Sequence, residues 1–264
     1  MAIWDEPIPC SLKCAVLIVC GSLVGCISPP PVVSGDADAA VQTVQAFGGL
    51  DKVHLLGVLE LHWTDDDGPH LESGDLEVWI KGRTHVSARV TRFSEIYLWT
   101  GRTPEGDFTF DRTSEPTSLT TTQTNEGIPS MLSVGTLRRL LGIDGVPCDA
   151  VVTSVDDAVR VTYDRPDGSH ETMVLNAPGN RVTLVTIVTA EGHKVTAEHR
   201  DHDDGPRVTG RAFARYVDVR SDGELARVLV AEVQTPAVLP ASVFDVERLK
   251  VALRPDVVRS GPQP

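Results

Sequence analysis

The chain has 264 residues, 41% of them hydrophobic, with 24 Lys and Arg against 37 Asp and Glu for a formal net charge of −13. An acidic balance of this size argues against nucleic acid as a partner and against broad contact of the protein surface with anionic lipid headgroups. The length supports one sizeable core, and all-β domains of this size commonly stay single.

The first predicted element is an apolar run from Cys14 to Val24, preceded by Lys13. Its length suits a signal-peptide core and falls short of the about 20 apolar residues that a bilayer span needs. The run ends in Leu23-Val24-Gly25-Cys26, where small Gly25 lets a peptidase approach the backbone. These four positions resemble the lipobox of bacterial lipoproteins, although Asp5, Glu6, Pro7 and Pro9 depart from the usual basic start. The resemblance implies cleavage between Gly25 and Cys26 and a covalent lipid, palmitate included, on the Cys26 sulfur and amine. Two or three acyl chains bury many methylenes at about 0.8 kcal/mol each, so such an anchor holds stably to a membrane. Ile27 and not Asp follows the cysteine, which by the same resemblance favours the periplasmic face of the outer membrane in a diderm cell.

The expected organisation is a signal peptide over residues 1–25, the lipidated cysteine and a Pro-rich tether over 26–36, one domain over 37–254 and a disordered tail over 255–264. Cys10, Cys14 and Cys20 leave with the signal, so Cys148 is expected as a lone, buried structural thiol with no intramolecular disulfide in the mature chain.

Ala37, Ala40, Val41, Val44 and Phe47 fall on one helical face, and Gly48-Gly49 ends that helix. Strands are expected at residues 53–63, 75–80, 84–91, 93–100 and 107–111, and an edge strand or loop at Thr117 to Thr124, which lacks large apolar residues. A second helix spans Val134 to Leu141, with Ser133 as cap and Gly142 as stop. A meander then resumes with strands at 150–155, 158–163, 170–175, 182–189, 193–199, 208–219 and 225–235, its turns marked by Gly, Pro, Asn and Asp. Residues 240–253 suit a helix capped by Ser242 or a strand. The sum is a mainly β (α+β) fold: a large curled antiparallel sheet or half-barrel of about 11 strands, with two or three covering helices.

This arrangement resembles the LolA/LolB-like superfamily of periplasmic lipoprotein and lipid carriers. The residues that carry it are the first helix with Gly48-Gly49, the strand Leu50 to Trp63, paired strands around Trp79 and Trp99, Phe108 and Phe110, the helix Val134 to Leu141, and Leu239-Pro240-Ala-Ser-Val-Phe244. The resemblance implies an incomplete barrel whose mouth is covered by helices and whose cavity takes a lipid or an acylated ligand.

No G-x-S-x-G, H-E-x-x-H, Walker A or Rossmann pattern is present, and neither an enzymatic activity nor a cofactor beyond the covalent lipid on Cys26 is expected. The cluster His199-Arg-Asp-His-Asp-Asp204 and the run Asp65-Asp66-Asp67 both fall where hairpins turn, and solvated turns are the expectation over metal sites. Trp63, Trp79, Trp99, Phe108 and Phe110 either pack under the helices or line an apolar cavity. Two functions follow: a membrane-anchored binder or carrier of lipids or acylated proteins, or a tethered envelope module without a cavity that meets a protein partner.

Overall fold

The computed structural model describes residues 35–65, 68–113, 115–122, 134–155, 157–176, 181–221 and 224–260. Gly25, Cys26 and residues 27–34 of the tether expected over 26–36 lie outside the described residues, and residues 35 and 36 already belong to the first helix. Helix α1 (Gly35–Gly48) leads into a run of antiparallel strands, β1 (Lys52–Asp65), β2 (Gly68–Lys81), β3 (His85–Arg92), β4 (Glu95–Thr103), β5 (Gly106–Asp111) and β6 (Ser118–Thr122). Helix α2 (Val134–Leu140) follows, and then β7 (Val151–Val155), β8 (Ala158–Asp164), β9 (His170–Asn176), β10 (Arg181–Val188) and β11 (Lys194–Arg200). A small hairpin of β12 (Arg207–Val208) and β13 (Arg211–Ala212) precedes β14 (Tyr216–Ser221) and β15 (Glu224–Gln234). A 3-10 turn (Ala241–Phe244), α3 (Val246–Leu253) and β16 (Val257–Ser260) close the chain.

Fourteen of these strands form one sheet in the order β16-β6-β5-β4-β3-β2-β1-β15-β14-β11-β10-β9-β8-β7. The chain walks outward from β1 to β6, crosses through α2 to the far edge at β7, and walks back until β15 pairs with β1. Strands about 4.8 Å apart would place β3 and β8 nearly 40 Å from each other in a flat sheet. Yet Val86 and Ala88 of β3 share one apolar core with Val159 and Val161 of β8, so the sheet is curled, and its two edges remain unjoined.

Register assigns the faces. Leu55, Leu59 and Leu61 of β1 pair with Val78, Gly74 and Glu72 of β2, and Leu76 and Ile80 of β2 pair with Val90 and Val86 of β3. This is the concave face, and the helices lie in it. Ala37, Ala40, Val44 and Phe47 of α1 are buried there, at the i, i+3, i+7 spacing of one helical stripe. Leu140, Leu141 and Ile143 at the end of α2 join the same core. The closest approach is between backbones, since a Cβ on Gly48 would overlap Gly145 Cα.

The outer face of β2 to β6 carries a second core, roofed by the C-terminal segment through Leu239, Val243 and Leu249. Asp245, three residues after the expected cap Ser242, is the residue that starts α3: its carboxylate accepts from the Arg248 N–H at 3.1 Å.

Several expectations are corrected. The main sheet has fourteen strands where about 11 were expected. The span 208–219 is not one strand, because Thr209 and Gly210, both at positive φ, turn the chain into the β12–β13 hairpin before β14 begins. The Thr-rich tract is not at the edge: β6 pairs with β5 on one side and, in parallel, with β16 on the other. Residues 257–260 therefore belong to a strand and not to a disordered tail. Asp256 fixes that strand by accepting from the Thr117 N–H at 3.0 Å and the Thr117 hydroxyl at 2.7 Å.

Candidate functional site

The concave face is filled in its middle by α1 and α2, and it opens toward the hairpin tips of β1–β2 and β3–β4. There a groove of about 60 Å³ runs between Leu59, Leu61, Val90 and Leu98, with Glu72 and Arg92 at its polar end. Strand pairing explains the apolar floor. Leu59 lies opposite Gly74, and Leu76, next along that row, lies opposite Val90, which in turn lies opposite Leu98. Gly74 has no side chain because Val90 takes that space: a Cβ on Gly74 would sit 2.7 Å from Val90 Cγ1.

Of the five predicted aromatics, Trp63 alone faces this side. It is two residues beyond Leu61 on the same row, half-buried, and stacked on His70 with ring centroids 5.1 Å apart. Trp79, Trp99, Phe108 and Phe110 sit on the outer face, under Leu239, Val243 and Leu249. They do not line the groove. Trp99 donates its indole N–H to Ser87 Oγ at 2.7 Å, and the Arg89 guanidinium stands 5.1 Å from the Trp79 ring and 5.2 Å from the Trp99 ring while paired to Glu77. Phe108 spreads over Gly101, where any Cβ would overlap its ring. These four pack together in the outer core.

Sequence reasoning missed the polar clamp that holds α2 against the end of α1 and the β2–β3 turn. Arg138 donates to Gly82 O, to Gly48 O at 3.2 Å and to Leu50 O at 3.3 Å, so it supplies the cation that the end of α1 lacks. Burial lowers its pKa, against the opposing pull of Asp144. Arg139 reaches Glu171, Asp167 (3.1 Å) and Ser169 Oγ (2.5 Å). Glu171, 1% exposed, also accepts from Tyr163 Oη at 2.8 Å and from Arg165 Nε at 3.0 Å. Burial and the Glu171 charge both raise the Tyr163 phenol. Burial works to lower Arg165, but Asp144 at 2.9 Å and Glu171 outweigh it and hold the guanidinium above its ordinary value. The signal was present as Arg138-Arg139 on a helix otherwise facing the core, but which carboxylates they would meet depends on the curl.

The histidine cluster is taken apart by the fold. His199 is fully buried and donates Nε2–H to Leu140 O, the last carbonyl of α2, at 2.9 Å. Burial pushes its pKa down to about 4, which keeps it neutral. His202 is also lowered by burial. Among the described residues no three His, Cys, Asp or Glu side chains are grouped so as to hold a metal ion, and no described helix is long and apolar enough to cross a membrane. Cys148 corrects the expectation of a buried free thiol: it is exposed, on the loop between α2 and β7, and disulfide-bonded. The other four cysteines of the chain all lie within residues 1–34.

No family model matches the chain, and no curated protein matches it in sequence. Solved structures do match in shape. A LolA superfamily protein from Nitrosomonas europaea aligns with a TM-score of 0.54 at 12% identity, over 78% of this chain and 97% of its own. A domain described as an outer membrane lipoprotein-sorting protein from Vibrio parahaemolyticus gives 0.53 at 8% identity, over 81% and 99%. A DUF1329 family protein from Desulfovibrio piger gives 0.53 at 10% identity, over 83% and 100%. At these identities the likeness is one of fold, and the chain has a LolA-like fold.

Proposed function

We propose that this protein is a bacterial envelope lipoprotein, anchored by acyl chains on Cys26, that binds the acyl part of a lipid or of an acylated protein in the groove of its half-barrel. It is read as a binding protein and not as an enzyme, with no cofactor other than its own covalent lipid. The observation that carries this reading is the apolar groove on the open part of the concave face. The fold, shared with a domain described as a lipoprotein-sorting protein, supports it. The driving force is transfer of methylenes from water to the floor of Leu59, Leu61, Val90 and Leu98. A groove of about 60 Å³ lies well below the roughly 300–1,000 Å³ of sites for drug-sized ligands, so it grips one end of a chain and does not engulf a lipid.

The test is native mass spectrometry of the chain purified without detergent, with and without Val90→Trp, which plugs the groove. A lipid mass on the native chain that is lost in V90W supports the reading. A clean protein mass after incubation with excess lipid sinks it.

One observation favours a second reading. The middle of the concave face is packed with α1 and α2 side chains, as a tethered module without a ligand would have it. That reading expects the same protein partner to co-purify with the native chain and with V90W.

The anchor has its own test. Intact mass of membrane-extracted protein tells whether Cys26 carries acyl chains. Cys26→Ala is expected to shift the protein from the membrane to the soluble fraction, and retention on the membrane refutes the anchor. The periplasmic face of the outer membrane is the proposed address, from Ile27 after the cysteine.

A further inference from the structure

We infer that the groove selects an amphiphile with an anionic head, a carboxylate or a phosphate, and that Arg92 holds that head. The inference rests on the reading of the groove as an acyl-chain site.

Two observations carry it. The first is a polarity gradient shared by neighbouring strands of the concave face. Along β3, Val86 and Ala88 are buried in the core, Val90 floors the groove, and Arg92 stands at its rim. Along β2 the order Ile80, Val78, Leu76, Gly74, Glu72 runs from core to rim in the same direction. A chain lying along these strands has its tail toward the core and its head beside Arg92.

The second is the state of Arg92 itself. Arg112, next to the lining residue Thr113, has its partner Glu95 at 3.3 Å. At the far end of the same strands Arg102 is bidentate on Asp107 at 2.7 and 2.8 Å. Arg92 has its nearest carboxylate, Glu72 Oε1, at 3.9 Å, beyond hydrogen-bonding reach, and both side chains are more than a third exposed. The guanidinium also stands 5.4 Å from the Phe93 ring. A loose, solvated pair contributes little, whereas a carboxylate or phosphate seated on the guanidinium fork makes short charge-assisted hydrogen bonds. Exchange of Glu72 for such a head is therefore favourable. An amine head would meet Arg92 as a like charge.

The test uses calorimetric titration of the purified full chain with decanoate, decyl phosphate, decan-1-ol and decylamine. Decanoate and decyl phosphate are expected to bind at least tenfold more tightly than decanol, with decylamine weakest. Their order tells a fatty-acid head from a phospholipid head. Arg92→Gln should remove the preference for the anions over decanol, and Glu72→Gln should tighten both anions several-fold by removing the competing carboxylate. Equal binding of decanol and decanoate by the native chain overturns the inference while the acyl-site reading stands, as does an Arg92→Gln chain that still prefers the anions. Absence of binding for all four probes defeats the acyl-site reading itself, and the inference with it.

Discussion

Phe93 and Ser94 turn the β3–β4 hairpin at φ of 51° and 67°, the left-handed region that a two-residue primed turn requires and that Asn-Gly fills at lower cost. Phe93 is 89% exposed, so its side chain gains little from packing in return. Phe93→Asn with Ser94→Gly is expected to stabilise the fold by about 1 kcal/mol, read as a higher urea midpoint at unchanged slope. A lower midpoint would mean that the ring is held by contacts not seen in this structure. His199 makes a second prediction. Its pKa falls from an ordinary 6.5 to about 4 on folding, so between those values the unfolded chain binds the extra proton. Stability that is fully present above pH 6.5 is lost as pH falls toward 4, by up to about 3 kcal/mol for a fully buried group. Asp167 and Asp218, held low by Ser169 with Arg139 and by Arg227 with Arg200 despite burial, act in a separate window below their ordinary 3.8. His202, also lowered by burial, adds a loss of the same sign. Denaturant titrations at pH 7, 5.5 and 4.5 should show the loss, and His199→Gln should reduce it; an unchanged pH slope in that variant refutes the assignment. At this scale the sequence was least informative about side-chain direction. Alternation along β2 places Trp79 and Ile80 on opposite faces, but both are buried, and only the path of the C-terminal segment decides which face is the outer one.

Helix α2 has seven residues, too few to be stable alone, and its place on the concave face depends on what its end touches. Glu171 is the centre of that clamp, shared by Arg139, Arg165 and Tyr163. Glu171→Gln leaves two buried guanidinium groups short of a counter-charge, and is expected to cost about 3 kcal/mol and to speed hydrogen exchange at the α2 amides. Asp164→Asn, which breaks an exposed pair with His170 at 2.7 Å, should change stability by less than about 0.5 kcal/mol. Equal effects would show that the clamp is no stronger than a surface pair. Elements with a strong period were legible. The stripe Ala37, Ala40, Val44 and Phe47, the stop at Gly48, and most of the hairpins came from local pattern alone. The failures share a cause in long-range pairing. Thr117 to Thr122 reads as an edge because it is poor in large apolar residues, and it becomes interior only through β16, which returns across more than a hundred residues to pair with it. Residues 240–253 are ambiguous in spacing, and one N-cap, Asp245, settles 246–253 as helix after a 3-10 turn.

At the scale of the whole molecule the sheet is covered on its concave face and on the outer face of β2 to β6, by two different covers. The curl buries the concave face around α1 and α2, which leaves the outer face of β2 to β6 with Trp79, Trp99, Phe108 and Phe110. Aromatic side chains bury about 150–250 Å² each, so together they would form a patch larger than a monomer usually exposes. The segment from Leu239 to Ser260 answers this: Leu239, Val243 and Leu249 roof the aromatics, and β16 with Asp256 ties the far end to β6. The segment is therefore a clasp on the outside of the half-barrel, separate from the groove within it. Truncation after Val238 is expected to shift tryptophan emission to the red, to bind the dye ANS and to bring self-association. Leu249→Ala, a gentler cut at a residue only 3% exposed, should cost about 2–3 kcal/mol. Because the clasp and the groove lie on opposite faces, L249A should leave decanoate affinity unchanged at temperatures where the domain stays folded. A matching loss of binding would mean that the two faces are coupled through β2 to β4, and that the outer core sets the shape of the groove.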